Sequence, residues 1–248
     1  RAQHCVSGMR PYEAANCADL GDVGPNPVDI IDSMERITAF HKSVKSAGIL
    51  PLTAGGDHLT SLPVLKALAQ DAPVGMIHFD AHTDMNDAYF GDSKYTHGTP
   101  FRRAIEQGFL DPKRTIQIGI RGVKYETTDF DWALDQGVRI VEIEELFERG
   151  VDDVMQEARE IVGDNETYVS FDIDGIDPAY APGTGTPVVG GLSTHQALQI
   201  LQHLRGIQLV GMDVVEVAPA YDVGDITSLA AATIALHQLC LLAWKRRD

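Results

Sequence analysis

The sequence VGMIHFDAHTD, residues 74–84, joins a largely apolar run to a cluster of ionisable side chains. The apolar run predicts a strand buried on both faces of a parallel sheet. After it, Asp80, His82 and Asp84 alternate with small residues, and the period of two in extended chain places all three on one side. Groups crowded in this way repel or stay unpaired unless a cation holds them, which favours a metal site over a solvated acidic turn.

Similar apolar runs recur along the chain and alternate with segments of helical periodicity. They predict strands at residues 49–54, 74–79, 115–120, 138–142, 167–172 and 209–215. Helices are predicted at residues 27–47, 60–70, 99–107, 151–162, 194–204 and 226–242, with Asp29, Ser193 and Asp225 as caps. This alternation indicates one α/β domain, with a doubly wound, mostly parallel sheet between two layers of helices. Ligands of such sheets bind beyond the carboxyl ends of the strands.

Two more polar segments follow predicted strands. The sequence GGDH, residues 55–58, uses its glycines for a tight turn that projects His58 from a strand end. A lone histidine there is more often a capping or packing residue than a ligand. The sequence SFDIDGIDP, residues 170–178, places Asp172 and Asp174 on one side, whereas Asp177 before a proline is typical of a turn.

Together these segments offer a mixed set of imidazole and carboxylate ligands for two divalent cations. The candidate metal ligands are His58, Asp80, His82, Asp84, Asp172 and Asp174. Four carboxylates balance two divalent charges, and the absence of a thiolate disfavours a structural zinc site. We expect two Mn²⁺ ions per chain, with Ni²⁺, Co²⁺ or Zn²⁺ as alternatives on the same ligands.

The three segments, in this order, resemble the ureohydrolases, the family of arginase, agmatinase, guanidinobutyrase and guanidinopropionase. The resemblance extends from about residue 21 to residue 242 and implies the arginase-like fold and hydrolysis of a guanidino compound to urea and an amine. It implies that His58, Asp84, Asp80 and Asp172 bind one metal ion. The second ion would take His82 and Asp174, with Asp80 and Asp172 bridging.

The same resemblance implies three catalytic roles. Asp84 would transfer a proton from the attacking water to the leaving nitrogen, and His97 in THGTP would shuttle protons between the site and solvent. Glu216 in VVEVAP would pair with the guanidinium group. Glu216 also closes an apolar strand, where an unpaired carboxylate is costly, so the sequence itself favours a ligand-binding role.

The loop at residues 85–96 resembles that of enzymes acting on guanidino acids, guanidinopropionase most of all and guanidinobutyrase next. We expect Tyr89 to shorten the pocket in favour of 3-guanidinopropionate over longer substrates such as 4-guanidinobutyrate. Asn86, Ser93 and Lys94, with Tyr95, would donate hydrogen bonds to the substrate carboxylate. Asp87 and Asp92 keep agmatine, which is cleaved to putrescine and urea, as the alternative substrate.

The whole chain narrows the classes of partner and compartment. A net charge of −16 over 248 residues argues against nucleic acid and anionic membranes as partners. The three cysteines have no paired spacing, which is typical of a cytoplasmic protein. The resemblance implies a homo-oligomer, either a trimer or a hexamer. It also implies that this domain, residues 1–248, lacks the family's first strand and helix and that the natural chain is longer by about 50–80 residues.

Three other classes of protein remain as alternatives. A single-metal deacetylase of related fold would not need all six ligands, and a metallophosphatase would need a phosphate clamp that the sequence does not display. An inactive truncated or regulatory homologue would be expected to lose ligands, and all six are present.

Overall fold

A parallel sheet of six strands forms the centre of the protein in the computed structural model, which describes residues 3–124 and 128–245. The strands are β1 (Leu52–Ala54), β2 (Val74–Phe79), β3 (Leu110–Ile120), β4 (Arg139–Glu142), β5 (Thr167–Asp172) and β6 (Leu209–Val215). Their order across the sheet is β1-β6-β5-β2-β3-β4. Every pairing between them is parallel, so their carboxyl ends all lie at one edge.

Helices pack on both faces of this sheet. In the described residues they are α1 (Pro11–Ala14), α2 (Ile30–Ser46), α3 (Ser61–Leu68), α4 (Pro100–Glu106), α5 (Asp131–Gln136), α6 (Ile143–Arg149), α7 (Val151–Val162), α8 (Thr194–Gln202) and α9 (Ile226–Lys245). Ile77 and Phe79 of β2 pack in the core shared with α7, α8 and α9, whereas Met76 packs in the core shared with α3 and α4. The predicted three-layer α/β/α architecture is therefore confirmed.

The predicted bounds of β2, β5, β6 and α7 agree with the structure. β1 starts later than predicted, at Leu52, after a proline that has no N–H for the ladder. β3 starts earlier, at Leu110, because its polar first half still runs beside β2 and pairs with it at Val74. The short helices α1, α5 and α6 were missed because each is too short to display a clear helical period.

The helix caps agree with the prediction at two of three positions. The Asp29 side chain accepts from the amides of Ile31 and Asp32, and Ser193 forms a capping box with Gln196. The prediction for Asp225 was wrong, because Asp222 accepts from the amides at the start of α9 instead.

Helix α9 is the one described helix long and apolar enough to span a membrane by length and composition alone. Half of its apolar window is buried inside the protein. Gln238 of this helix donates to the backbone oxygen of Asp213 in β6 at 2.8 Å, and Ile234 lies in the core. These contacts are those of a helix packed on a sheet.

Candidate metal centre

The polar segments that follow β1, β6, β5 and β2 converge because these four strands are neighbours and run parallel. A 3₁₀ turn, His58–Thr60, follows β1, and a second one, Ile173–Gly175, follows β5. A Cβ atom on Gly175 would lie 3.1 Å from the backbone nitrogen of Asp80. Glycine at this position therefore lets the segments after β5 and β2 come into direct contact.

A first group of donor atoms surrounds the imidazole of His58, which is fully buried. Its Nδ1 lies 3.2 Å from Asp80 Oδ2, 2.9 Å from Asp84 Oδ2 and 3.0 Å from Asp172 Oδ2. One donor atom from each of these four residues lies within 4.8 Å of the others. This arrangement can hold a cation.

A second group shares Asp80 with the first. His82 Nδ1 lies 3.4 Å from Asp80 Oδ1 and 3.1 Å from Asp174 Oδ2. The two oxygens of Asp80 thus face different groups. Asp172 belongs to the first group only, and its Oδ1 accepts from the backbone nitrogen of Asp174 at 2.8 Å. The bridging role of Asp172 stays a prediction.

The protonation of His58 follows from its neighbours. Ser170 Oγ lies 2.8 Å from Asp213 Oδ1, a carboxylate oxygen that can only accept, so the hydroxyl donates to it. His58 Nε2 lies 2.9 Å from the same hydroxyl and therefore donates to it. Nε2 therefore carries a proton, and Nδ1 is the nitrogen that faces the three carboxylates. Buried Nδ1 has no hydrogen-bond partner among the described residues, as a metal ligand requires.

The electrostatics of the cluster favour added positive charge. Burial and the charges of Asp174 and Asp80 raise the pKa of Asp172 well above its ordinary value, and burial with Asp80 raises that of Asp174 to about 6. Burial lowers the pKa of His82, but Asp174 and Asp80 outweigh it and raise this pKa to about 12. The carboxylates therefore compete for protons that divalent cations would replace. The donor set and the orphaned nitrogen fit a two-cation centre.

Two of the predicted catalytic residues adopt a left-handed backbone conformation that is uncommon outside glycine. Asp84 has φ of 52° and Glu216 has φ of 63°. Glu216 Oε1 accepts from the backbone nitrogen of His58 at 2.7 Å. Burial raises the pKa of Glu216 to about 7, although the hydrogen bond from His58 opposes this effect. Strained backbone at both positions is typical of a functional site.

His97 and Tyr89 lie together in the loop after β2. Their ring centroids are 5.5 Å apart, and the Phe90 ring lies 5.6 Å from His97. His97 is half-buried, and Phe90 is 74% exposed. The rings of Tyr89, Phe90 and His97 therefore pack together in this loop.

The predicted carboxylate donors of this loop are mostly engaged within the loop. Asn86 Nδ2 donates to the backbone oxygen of Gly98 at 3.1 Å, and Lys94 pairs with Asp87. Ser93 is exposed, and its backbone oxygen accepts from the amide of Tyr89. Tyr95 packs against the core beside α3 and α4 rather than facing outward. None of these contacts tests a role in substrate binding.

Asp177 forms a turn, as predicted. Its Oδ1 accepts from the amide of Ala179, and its Oδ2 accepts from the amides of Gly190 and Gly191. The chain bends at residues 56–57 and enters the 3₁₀ turn that carries His58, although neither glycine of GGDH has a positive φ. A Cβ on Gly55 would lie 3.0 Å from Val215 Cγ1, so glycine there favours close packing on β6.

Sequence reasoning missed the polar side chains beneath the cluster. His78 Nε2 lies 2.8 Å from Asp80 Oδ2, Gln117 contacts His78, and Thr186 Oγ1 donates to Asp174 Oδ2 at 3.2 Å. His78 is an ionisable residue inside an apolar strand, two positions before Asp80. That placement was the available signal.

Comparisons with known proteins agree with this geometry. The family model described as Arginase family matches residues 2–240. The chain is 55% identical to guanidinopropionase from Pseudomonas aeruginosa, over 98% of this chain and 76% of that protein. It is 45% identical to guanidinobutyrase from the same organism, with the same coverage. The crystal structure of proclavaminate amidino hydrolase from Streptomyces clavuligerus superposes with a TM-score of 0.91 at 38% identity, covering 99% of this chain and 81% of that one.

Proposed function

Because this chain belongs to the arginase family, we propose that it hydrolyses a guanidino acid to urea and an amine. The substrate is 3-guanidinopropionate or 4-guanidinobutyrate, because the chain is similar to a guanidinopropionase and to a guanidinobutyrase. The observation that carries the chemistry is the buried Nδ1 of His58, which forms no hydrogen bond among the described residues and faces three carboxylate oxygens within 3.2 Å.

The six predicted ligands would hold two divalent cations, one in each group of donor atoms. When bound, such a pair of ions lowers the pKa of a water molecule, so that it can attack the guanidinium carbon of the substrate, and polarises the carbon–nitrogen bonds of that group. Mn²⁺ is the metal we propose, because the donors are nitrogen and oxygen only. Ni²⁺, Co²⁺ and Zn²⁺ suit the same donors.

Glu216 anchors the guanidinium group of the substrate. Its Oε1 is occupied by the amide of His58, which leaves Oε2 for the planar cation. Asp84 is buried beside His58 and moves a proton from the attacking water to the leaving nitrogen. His97, half-buried next to Tyr89, exchanges that proton with solvent.

A guanidino acid is favoured over agmatine by the charges of the loop. Asp87, which would attract the distal ammonium of agmatine, already accepts from Lys94 and Arg103, and these cations lower its pKa to about 2. Asn86, Ser93 and Lys94 remain the proposed set that receives a substrate carboxylate, for which Lys94 would exchange its contact with Asp87. Tyr89 limits the length of the chain between the two ends.

Agmatinase activity is the second candidate, because Asp92 is exposed in the same loop and carries no cation among the described salt bridges. If the protein is instead an inactive truncated or regulatory homologue, we expect it to bind metal without turnover. We also propose a trimer or hexamer in the cytoplasm, as the resemblance and the unpaired cysteines suggest.

The test of this proposal counts metal ions and urea in the same preparation. We expect about two Mn²⁺ ions per chain and urea release that stops when EDTA removes them. Two tightly bound ions without urea from any guanidino acid or from agmatine would contradict the enzymatic proposal and favour the regulatory homologue.

A further inference from the structure

His78 lies in β2, two residues before Asp80, and is fully buried. Its Nε2 lies 2.8 Å from Asp80 Oδ2, and its Nδ1 lies 2.9 Å from Gln117 Nε2. Gln117 is the residue of β3 that pairs with His78 in the sheet register. The His78 ring packs 5.0 Å from the ring of His58 and 4.5 Å from that of Phe101. Contacts at both ring nitrogens and packing against two neighbouring rings thus fix the orientation of the imidazole.

The orientation of the Gln117 amide is determined by a carbonyl group. Gln117 Nε2 lies 2.6 Å from the backbone oxygen of Thr83, which can only accept a hydrogen bond. If the amide were flipped, the Gln117 Oε1 atom would face the Thr83 oxygen and repel it, so Nε2 must occupy this position. Its second hydrogen then points to His78 Nδ1, which therefore accepts.

An accepting Nδ1 puts the imidazole proton on Nε2. That atom then donates to Asp80 Oδ2 and has no lone pair for a metal ion. The donor atoms of His58, His78 and Asp80 lie within 4.8 Å of one another, a spacing that by itself would also suit a third histidine ligand. The hydrogen bond from Gln117 to Nδ1 therefore makes Nε2 a donor to Asp80 and not a metal ligand.

Asp80 is consequently held by a donor on each oxygen. Oδ2 accepts from His78, and Oδ1 accepts from the backbone nitrogen of His82 at 2.6 Å. The same two oxygens face His58 Nδ1 and His82 Nδ1, one in each group of metal ligands. Two fixed donors leave the carboxylate one orientation, in which it faces both groups.

We propose that Gln117 and His78 form a positioning pair that holds Asp80 in its bridging orientation and that neither residue binds metal. This proposal rests on the proposed function in one respect, the binding of cations between the two groups. The pair acts on the metal through Asp80, as hydrogen bonds to ligating carboxylates commonly do.

The test measures Mn²⁺ affinity and stoichiometry by calorimetric titration of the metal-free full chain, with thermal denaturation as a folding control. We expect H78L to weaken Mn²⁺ binding by about 10- to 100-fold, the usual effect of losing such a partner. H78Q should remain within about threefold of the wild type, because its amide nitrogen can donate near the position of Nε2. Q117M keeps His78 but frees its proton, and should weaken binding by about tenfold.

The matched control is H41L. His41 is a buried imidazole that bonds Thr53 and Ile37 away from the metal ligands, so its loss should lower stability and leave Mn²⁺ affinity unchanged. If H78L or H78Q lost one ion entirely, His78 would be a ligand and the proposal would be wrong. It would also be wrong if folded H78L, or folded Q117M, bound Mn²⁺ as the wild type does.

Failure of the proposed function gives a different result. A wild type that binds two ions and releases no urea contradicts the enzymatic proposal alone, because the affinity series still tests the pair. A wild type that takes up none of Mn²⁺, Ni²⁺, Co²⁺ and Zn²⁺ contradicts both. Normal urea release together with unchanged affinity in H78L contradicts only the positioning pair.

Discussion

Glu216 Oε1 accepts a hydrogen bond from the backbone nitrogen of His58 at 2.7 Å, across the ends of two neighbouring strands. Glu216 follows β6 and His58 follows β1, so the sheet itself sets the distance between the proposed guanidinium anchor and a proposed metal ligand. The left-handed φ of 63° at Glu216 aims the carboxylate back toward that ligand. The proposed substrate anchor and the proposed metal ligand are thereby in direct contact.

Replacing Glu216 with glutamine tests the anchor. The amide oxygen can still accept from His58, but the negative charge that pairs with a guanidinium is lost. We expect E216Q to lower kcat/KM on the order of 100-fold or more, as for loss of a desolvated charge partner. Mn²⁺ stoichiometry, measured in parallel, should not change. A variant that keeps wild-type kcat/KM would remove Glu216 from the substrate site.

Asp84→Asn tests proton transfer. Asparagine tolerates the left-handed backbone at this position, so the substitution should not strain the chain. Turnover should fall by about 100- to 10,000-fold, the usual contribution of a positioned acid–base group. Metal binding should weaken only in part, because the amide oxygen can still coordinate. Unchanged steady-state rates would refute the proton-transfer role.

Tyr89→Ala tests the length of the pocket. Removing the ring should raise the ratio of kcat/KM for 4-guanidinobutyrate over 3-guanidinopropionate by about tenfold or more, the range for one methylene in a pocket. Phe90→Ala is the matched control, since it removes an exposed neighbouring ring in the same loop. An equal shift in both variants, or none in Y89A, would show that Tyr89 does not set the chain length.

The pH dependence of stability tests a contact far from the metal centre. His237 of α9 meets His4 with 2.8 Å between their Nε2 atoms, and burial together with His4 lowers the pKa of His237 from 6.5 to about 4. Between these values the unfolded chain binds more protons than the folded chain, so the free energy of unfolding rises with pH. The stabilisation is complete above pH 6.5 and is lost as the pH falls toward 4.

Urea denaturation of the wild type and H237Q measures this effect as a difference, in which titrating groups distant from His237 and His4 cancel. The advantage of the wild type should shrink steadily as the pH is lowered from 6.5 to 4. A constant difference for H237Q would mean that His237 titrates alike in the folded and unfolded chains.

The ligand segments could be predicted because their signals are local. Asp80, His82 and Asp84 follow one strand at a period of two, and parallel strands bring their carboxyl ends to one edge without further information. The continuous apolar runs of β2, β5 and β6 likewise gave their bounds directly.

The partners beneath the ligands depend on sheet register, which a single strand does not reveal. Gln117 contacts His78 only because β3 pairs with β2 in one register, and Asp213 reaches Ser170 through the pairing of β6 with β5. Each looks like an isolated polar residue inside an apolar run. Asp222 was missed as the α9 cap because it acts from four residues before the helix.

Urea release by the Mn²⁺-loaded protein, measured as kcat/KM for 3-guanidinopropionate, 4-guanidinobutyrate, agmatine and arginine, tests the central claim most directly. We expect a guanidino acid to be the preferred substrate, with a higher kcat/KM for 3-guanidinopropionate than for 4-guanidinobutyrate. A preference for agmatine would contradict the assignment of the loop at residues 85–96. No urea from any of the four, with two ions bound per chain, would contradict the proposed activity itself.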